Sequence, residues 1–370
     1  MENGLKVRDI AGWLETWAPK ALAESYDNVG LLVGHPGDEV TRVLVSLDCT
    51  EEVVKEAEGV GCQMIVSHHP VIFGGLKRLQ GASDVERTVM RAVRSNIALY
   101  AIHTNLDNVL TGVNHQLAKL VGCVPDSLQI LRPMGAGLEK WSVFVPETHA
   151  EAVRVAMADA GAGAIGRYDS CSFASKGMGS FRALEGAQPH VGTPGELHRE
   201  AETKLEMVVP STLASEVERA MLAAHPYEEV AFDRVALQQG RSDVGAGMVG
   251  TLAQPMAWEA FADHVKEVLG CQAIKHTAPV HANVQRIAVC GGSGSFLIGD
   301  AKRAKADVYI TSDIKYHEYF QAEGRLQLLD VGHYESEWQT SSLIASKINE
   351  KFPNFAVRLS GIRTNPISFR

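Results

Sequence analysis

The stretch MIVSHHP, at residues 64–70, is a short apolar run that ends in two histidines and a proline. Similar runs lie on either side of it, VLVSLD at 43–48 and IALYAIH at 97–103. Helical patterns separate the three runs. The helical pattern between MIVSHHP and IALYAIH begins at a predicted capping box, in which Ser83 is followed three residues later by Glu86. Short β-branched runs that alternate with helices predict crossover connections on a largely parallel sheet.

The same alternation returns near the end of the chain. Its strand-like runs are RIAVC at 286–290, DVYITSD at 307–313, LQLLDVGH at 326–333 and FAVRLS at 355–360. Helical segments separate these runs as well. We therefore expect residues 1–128 and 244–370 to be the two halves of one α/β domain with mostly parallel strands.

An internal repeat lies between these halves. VPETHAEAVRVAMADA at 145–160 aligns without gaps on VPSTLASEVERAMLAA at 209–224. Two amphipathic helices on one sheet can converge on similar patterns, but identity at proline, threonine and methionine in register favours duplication. Each copy indicates a strand, a proline turn, a helix and a further strand, which is the β-α-β-β-α-β order of a ferredoxin-like domain. Residues 129–243 are predicted to be such an α+β domain, inserted into the larger one.

Composition excludes several classes of protein. The 370 residues are 45% hydrophobic and 21% charged, which is typical of a folded chain and not of a disordered or collagen-like one. No apolar run approaches the roughly 18 residues of a membrane helix, and the first 20 residues lack a signal-peptide pattern, so a cytoplasmic protein is expected. The formal charge of -9 disfavours nucleic acid as a partner. The six cysteines form no C-x-x-C pair, so we expect them to be reduced and mostly buried.

Metal-binding side chains follow three of the strand-like runs. They are His68 and His69 after MIVS, His103 and Asp107 after ALYAI, and His333 and Glu337 after LLDVG. Adjacent histidines would face opposite sides of a strand, so His68 and His69 are expected just past its end. The i,i+4 spacing places His333 and Glu337 on one face of a helix. Because open α/β sheets bind ligands at the carboxyl ends of their strands, we expect all six at one edge of one sheet.

These residue types favour a particular chemistry. Taken singly, a histidine is often a satisfied core residue, and a His/Glu pair is common on ordinary helix faces. Together, the imidazoles and carboxylates match the ligands that Zn²⁺, Mn²⁺ or Fe²⁺ accepts, and a carboxylate can bridge two ions. The sequence therefore predicts a two-metal centre, whose default reaction is hydrolysis by a metal-activated water.

Other residues are further candidates. Asp313 and His317 follow the strand-like run DVYITS and could orient a ligand or move a proton, although a helix cap is an equal alternative for Asp313. Asp27 and Asn28 could stiffen a turn, which is the preferred interpretation, or reach the site.

Several motifs together resemble the NIF3-like family, which is also described as GTP cyclohydrolase 1 type 2 homologues, in its longer bacterial form with a PII-like or CutA-like insert. The motifs are AESYDNVGLLVG at 23–34, IVSHHPVIFGGLK at 65–77, AIHTNLDNVLTGVN at 101–114, HPYEEVAFD at 225–233, GGSGS at 291–295 and DVGHYESE at 330–337. The resemblance covers nearly the whole chain. By itself GGSGS would be weak, because it lacks the third glycine of a dinucleotide-binding fingerprint.

The resemblance implies a ligand set and an assembly. The ligands of two divalent ions (Zn, Fe or Mn) map onto His68, His69, Asp107, His333 and Glu337, with His103 close by. The family resemblance also implies a homo-hexameric ring of two facing trimers, with the metal sites toward its interior.

The family label points to GTP, or to another small-molecule substrate, and to a metal-dependent hydrolase. On GTP, attack at C8 of the guanine ring would open the imidazole ring and release formate. His103 or His317 could then serve as the proton shuttle, because imidazole titrates near neutral pH. The alternative is a non-catalytic scaffold, regulator or metal-delivery protein whose insert binds an effector or a partner.

Overall fold

The computed structural model describes residues 4–134, 137–166, 168–241 and 243–370. The chain divides into two compact units, the first made of Met1–Pro133 with Asp243–Arg370 and the second of Met134–Ser242. The fold is mixed α/β, as the sequence predicts. Across the described ranges no helix is both long and apolar enough to cross a membrane. All six cysteines are free, and five of them are buried.

One sheet of the first unit has five strands in the order β1-β4-β3-β2-β15. Its strands are β1 (Gly30–Val33), β2 (Arg42–Ser46), β3 (Met64–Ser67), β4 (Ala98–Ala101) and β15 (Ala356–Leu359). The pairs β15/β2, β2/β3 and β3/β4 are parallel, and β1 is antiparallel to β4. Strands β2, β3 and β4 are almost wholly buried, which explains why they read as continuous apolar runs. Helix α1 (Val7–Trp17) precedes the first strand of this sheet. Helix α2 (Glu51–Gly59) connects β2 to β3, and α3 (Asp84–Arg94) connects β3 to β4.

The predicted cap of α3 is only half correct. The Ser83 hydroxyl accepts a hydrogen bond from the Glu86 backbone N–H at 3.2 Å. The Glu86 carboxylate, however, accepts from the N–H groups of Gln80 and Ala82. The preceding loop folds over the helix start, so the glutamate satisfies loop donors instead of closing a capping box with Ser83.

A second sheet of the same unit has six strands in the order β11-β14-β13-β12-β10-β5. Its strands are β5 (Gln129–Pro133), β10 (Gly245–Ala257), β11 (Lys275–His276), β12 (Asn283–Ser293), β13 (Val308–Ser312) and β14 (Gln327–Asp330). Strands β12, β13 and β14 are parallel. The remaining helices of the unit are α4 (Thr104–Asp107), α5 (Val113–Leu120), α8 (Trp258–Leu269), α9 (Ile298–Arg303), α10 (His333–Glu337) and α11 (Thr340–Lys351). The expectation that all the site residues lie at the edge of one sheet is therefore wrong, because β14 and β3 belong to different sheets.

The second unit contains the repeat. Its elements are β6 (Leu138–Pro146), α6 (Ala150–Asp159), β7 (Ser172–Arg182), β8 (Leu197–Pro210), α7 (Ala214–Ala224) and β9 (Phe232–Ala236). The four strands are antiparallel in the order β7-β8-β6-β9. The repeat pairs Val153 with Val217 and Met157 with Met221, and all four side chains are fully buried in one core. The matching positions are thus the inward positions of α6 and α7.

The start of the second unit is set by strand pairing. Gln129–Pro133, which the sequence analysis includes in the insert, form β5 and pair with β10 in the six-stranded sheet. Pro133 and Gly245 are register partners in this antiparallel pair.

Replacing residues 134–242 with a linker of about two glycines is expected to leave a folded protein, because adjacent antiparallel strands are readily joined by a short hairpin loop. Circular dichroism and metal content, compared with those of the full chain, measure the outcome. An insoluble product, or a folded one that no longer binds metal, would show that the second unit completes the first.

Candidate metal centre

The predicted ligands meet where strands of the two sheets end. His68 and His69 directly follow β3, and Asp107 ends the short helix α4 that follows β4. His333 and Glu337 are the first and last residues of α10, as their spacing predicts. Gly332, with a φ of 90°, turns the chain from β14 into this helix. The ligand-bearing segments thus come from two sheets of one unit.

One group of ligand atoms converges on a Glu337 oxygen. Glu337 Oε2 lies 3.0 Å from His69 Nε2 and 3.1 Å from His333 Nε2. The two Nε2 atoms are 3.4 Å apart. These three side chains could hold one metal ion.

A second group lies against the other Glu337 oxygen. His68 Nε2 is 4.0 Å from Glu337 Oε1 and 3.7 Å from Asp107 Oδ1. Both His68 Nε2 and Asp107 Oδ1 are buried and lack a hydrogen-bond partner. Leaving such groups unpaired costs roughly 1 to 3 kcal/mol each, and more for a charged group. A cation between them would satisfy both, so the donor set fits a metal ion.

Each imidazole of the cluster is fixed through its Nδ1 atom, which leaves Nε2 facing the ligand groups. The Nδ1 contacts are His68 to the Ile102 carbonyl at 2.8 Å, His69 to Asp48 at 2.7 Å, His103 to Asp27 at 2.8 Å and His333 to Asp313 at 2.6 Å. An N–H donated to a carboxylate or a backbone carbonyl fixes the tautomer and ring orientation of metal-binding histidines. Each of the four rings therefore has its Nε2 left free of the Nδ1 contact, and this is the atom with which His68, His69 and His333 could coordinate an ion.

The carboxylates of Asp107 and Glu337 have opposite protonation behaviour. Burial and the nearby Glu337 charge raise the pKa of Asp107 well above its usual value. Burial would also raise the pKa of Glu337, but hydrogen bonds from His333 and His69 hold it well below its usual value. Glu337 is therefore the anion at the centre of the cluster, and it faces ligand groups with both oxygens.

The pKa values of the histidines are also shifted in opposite directions. Complete burial lowers the pKa of His68 to about 3, so this ring is neutral and ready to bind metal. For His69, burial opposes protonation, but hydrogen bonds to Asp48 and Glu337 raise its pKa to about 9. For His333, bonds to Asp313 and Glu337 likewise outweigh burial and raise its pKa to about 11.

Metal uptake is expected to strengthen as pH rises. Without metal, His69 keeps a proton up to about pH 9, and a metal ion must displace it. The stability that protonated His69 gives the metal-free fold is fully present below about pH 6.5 and is lost as pH rises through about 9. Calorimetric Mn²⁺ titrations in buffers of different ionisation enthalpy should show proton release at pH 7 and less of it above pH 9. Equal affinity and no proton release at both pH values would contradict this.

The GGSGS motif makes room for Glu337. Gly291 N–H donates to Asn114 Oδ1 at 2.9 Å, and Gly292 N–H donates to the Ser336 hydroxyl at 2.9 Å. Gly292 has a φ of 61°, and a Cβ atom there would overlap Glu337 Oε1. The backbone can approach the carboxylate this closely only without a side chain.

Gly292→Ala is expected to weaken metal binding by at least about tenfold, because the displaced Glu337 carboxylate could no longer reach both ligand groups. Gly299→Ala, in helix α9 with space for a methyl group, serves as the matched control. Metal affinity by competition with a chelator measures both variants. Parent-like affinity in the first would mean that Glu337 does not need its observed position.

Several other candidates are placed by the structure. His103 lines the cavity beside the cluster, where it can join His68 and His69 around an ion. His317 is exposed in the segment Tyr316–Ala322, next to the rings of Tyr316 and Phe320, and is not among the residues that line the cavity.

Two aspartates do more than the sequence indicated. Of the two alternatives for Asp27, the structure favours the one in which it reaches the site, because its carboxylate accepts from His103 Nδ1 and from the Thr104 backbone N–H. Sequence reasoning missed Asp48, the partner of His69. Its signal was available, since Asp48 stands just past β2 much as His68 stands past β3.

A cavity of about 910 Å³ opens beside the ligand cluster. Its walls include the aromatic rings of Tyr26, Phe73, Phe296 and Tyr334. Among the described lining residues Arg87 is the single arginine or lysine, and it is paired with Asp84 and Glu51. A small molecule can therefore reach the ligand atoms, and it would meet chiefly apolar and acidic walls.

Comparisons with known proteins show what the whole chain is similar to. The family model Duf34/NIF3 (NGG1p interacting factor 3) matches residues 5–366. The GTP cyclohydrolase 1 type 2 homolog of Bacillus subtilis (strain 168) is 36% identical over 374 residues, covering 100% of both chains. That of Mycobacterium tuberculosis (strain ATCC 25618 / H37Rv) is 35% identical over 368 residues, covering 98% of this chain and 96% of the relative. The crystal structure of a Bacillus cereus protein related to NIF3 superposes with a TM-score of 0.86 at 36% identity, with 100% of both chains covered.

Proposed function

The chain belongs to the Duf34/NIF3 family, and we propose that it is a metal-dependent hydrolase with a dinuclear centre. The ligands are His68, His69, Asp107, His333 and Glu337, and the ions are divalent Zn, Fe or Mn.

The observation that carries the proposal is the position of Glu337 between two ligand groups. Its Oε2 atom is in contact with His69 and His333, while its Oε1 atom faces His68 and the neighbouring Asp107. A carboxylate that offers one oxygen to each of two groups is suited to bridge two ions. In the second group, His68 Nε2 and Asp107 Oδ1 are buried and unpartnered, and a bound cation would satisfy both atoms.

Two divalent ions in such a centre supply Lewis acidity and a water of lowered pKa, which suit hydrolysis. The chain contributes a proton carrier beside them. His103 borders the cavity, and its Nδ1 is held by Asp27 at 2.8 Å, so its Nε2 is the atom left to exchange a proton with a substrate. His317 is the weaker candidate for this role, because it is exposed and outside the cavity lining.

The cavity bears on the choice of substrate. GTP, to which the names of the relatives refer, carries a triphosphate, and the one arginine or lysine of the described lining, Arg87, already has two carboxylate partners. Phosphate would therefore depend on the metal ions themselves for charge compensation. Uncharged cyclic amides, which need no cationic side chain, belong in the same substrate panel.

The test uses metal-loaded full-length protein. Formate release from GTP is measured first, followed by hydrolysis of phosphodiesters and cyclic amides. Turnover that survives extensive purification and disappears in Asp107→Asn supports the hydrolase. Stable metal binding without turnover across the panel would instead support a non-catalytic scaffold, regulator or metal-delivery protein.

We also propose a cytoplasmic location and, on the strength of the family resemblance, a homo-hexamer of two facing trimers. Sedimentation equilibrium of the full chain at several concentrations tests the assembly. A mass equal to one or two chains throughout would rule it out.

A further inference from the structure

The last eleven residues follow strand β15 without forming a helix or strand, yet they are held at the metal centre. Where they begin, Ser360 N–H donates to the Val45 carbonyl at 2.8 Å, and Gly361 N–H donates to Glu56 at 2.8 Å. From there the chain runs to the cavity, where Asn365, Pro366 and Ile367 form part of the wall.

The first contact with the centre is made by Thr364. Its hydroxyl donates to Asp48 Oδ2, while Asp48 Oδ1 accepts from His69 Nδ1 at 2.7 Å. With one oxygen occupied by each donor, the Asp48 carboxylate is fixed in a single orientation. That orientation determines where the His69 ring points its Nε2 atom.

The second contact is made by the next residue. Asn365 Nδ2 donates to Glu335 Oε1 at 2.9 Å. Glu335 is 5% exposed and lies within α10, between His333 and Glu337. The Asn365 side chain is itself oriented, because its Oδ1 accepts from the Ile367 N–H at 3.0 Å.

Consecutive residues of one segment therefore hold both halves of the ligand set. Thr364 acts on the half that follows the five-stranded sheet, and Asn365 on the half that follows the six-stranded sheet. The Arg363 guanidinium lies over the Tyr334 ring at 5.6 Å, which adds a further contact with α10.

We propose that Arg363–Ile367, here called the C-terminal clamp, sets the geometry of the metal centre, with Thr364 as a positioning residue for His69 acting through Asp48. The clamp rests on the proposed metal-binding function. It goes further by assigning a role to a segment that carries no ligand of its own.

The test compares Thr364→Val with Thr364→Ser in the full chain. Valine keeps the shape of threonine but removes the donor to Asp48, whereas serine keeps the donor. Co²⁺ serves as the probe, with its affinity measured by competition with a chelator and its ligand geometry read from its visible absorption bands. Loss of a partner to a metal-binding histidine costs about 10 to 100-fold in affinity, and Thr364 acts one bond further out, so about tenfold weaker binding of one ion is expected for valine.

A second variant tests the other half of the clamp. Asn365→Asp replaces a donor to buried Glu335 with a second carboxylate, so repulsion should displace α10 and alter the Co²⁺ spectrum. Thr41→Val, a threonine whose hydroxyl contacts Gln63, is the matched control for valine substitution.

The outcomes separate the clamp from the underlying function. Weaker Co²⁺ binding and shifted bands in Thr364→Val, with parent-like values in Thr364→Ser and Thr41→Val, support the clamp. If the parent binds two ions and Thr364→Val matches it in affinity and spectrum, the clamp is wrong while the metal centre stands. Equal losses in the serine and valine variants would refute the hydroxyl link, and a parent that binds no Co²⁺ would refute the metal centre together with the clamp.

Discussion

Protein isolated without chelators is expected to carry two divalent ions per chain, and His68→Ala or Asp107→Ala is expected to lower that content to about one without unfolding the protein. Both side chains belong to the ligand group that faces Glu337 Oε1. Removing either leaves that group with two of its three ligands. The other group, formed by His69, His333 and Glu337, keeps its full set.

Metal loading should also stabilise the parent against heat. In the metal-free fold His68 Nε2 and Asp107 Oδ1 are buried without partners, a cost that a bound cation removes. An ion present at about 1,000 times its Kd stabilises the folded state by about 4 kcal/mol, provided that it does not bind the unfolded chain. The increase in Tm on adding metal should therefore be smaller in both variants than in the parent.

Elemental analysis and thermal unfolding measure these effects. His317→Ala is the matched control, because it removes an exposed imidazole that is not part of the cavity lining. It should retain both ions and the full increase in Tm. Full metal occupancy in both His68→Ala and Asp107→Ala would show that the ligand assignment is wrong.

Much of this centre could be anticipated because local sequence carries the signal. The run MIVS becomes strand β3 and ends directly before His68, so a β-branched run and its polar end were enough to locate this candidate ligand. The i,i+4 spacing of His333 and Glu337 likewise predicted a helix, which the structure has as α10. These features depend on residues within a few positions of one another.

The division into two sheets could not be anticipated in the same way. Strand β15, near the end of the chain, is parallel to β2, whereas β14, only 25 residues before it, belongs to the other sheet. Both runs have similar apolar patterns, so periodicity cannot say which sheet each one joins. That choice is made by packing between distant parts of the chain.

The hydrogen bonds of the residues that orient the candidate ligands could not be predicted from the sequence either. Asp27 reaches His103 from a loop 76 positions away, and Thr364 reaches Asp48 across 316 positions. No spacing rule links such pairs, and aspartate is common in turns and at the ends of strands without any such role. The side chains proposed as ligands could be picked out from the sequence, but the hydrogen bonds that orient them could not.

Glu337→Gln is expected to reduce metal affinity by at least about 100-fold and to abolish the hydrolytic activity that the centre supports. Loss of an outer partner of a metal ligand already costs about 10 to 100-fold, and here the ligand itself changes. Glutamine keeps the volume of the buried side chain, which is 3% exposed, so the fold should persist. It loses the negative charge that His69 and His333 contact at 3.0 and 3.1 Å, and an amide cannot offer an anionic oxygen to each of two ions.

Glu335→Gln is the matched control for this change. Glu335 is nearly as buried on the same short helix, belongs to none of the ligand groups, and as glutamine still offers Asn365 an oxygen acceptor. Metal content, circular dichroism and turnover on the substrate that the panel identifies should be measured together on both variants. The control should stay within about tenfold of the parent in metal affinity, the lower limit of an outer-partner effect. If Glu337→Gln matched the parent rate while lacking one ion, the activity would not come from this centre, and a metal-binding scaffold would be the better account of these residues.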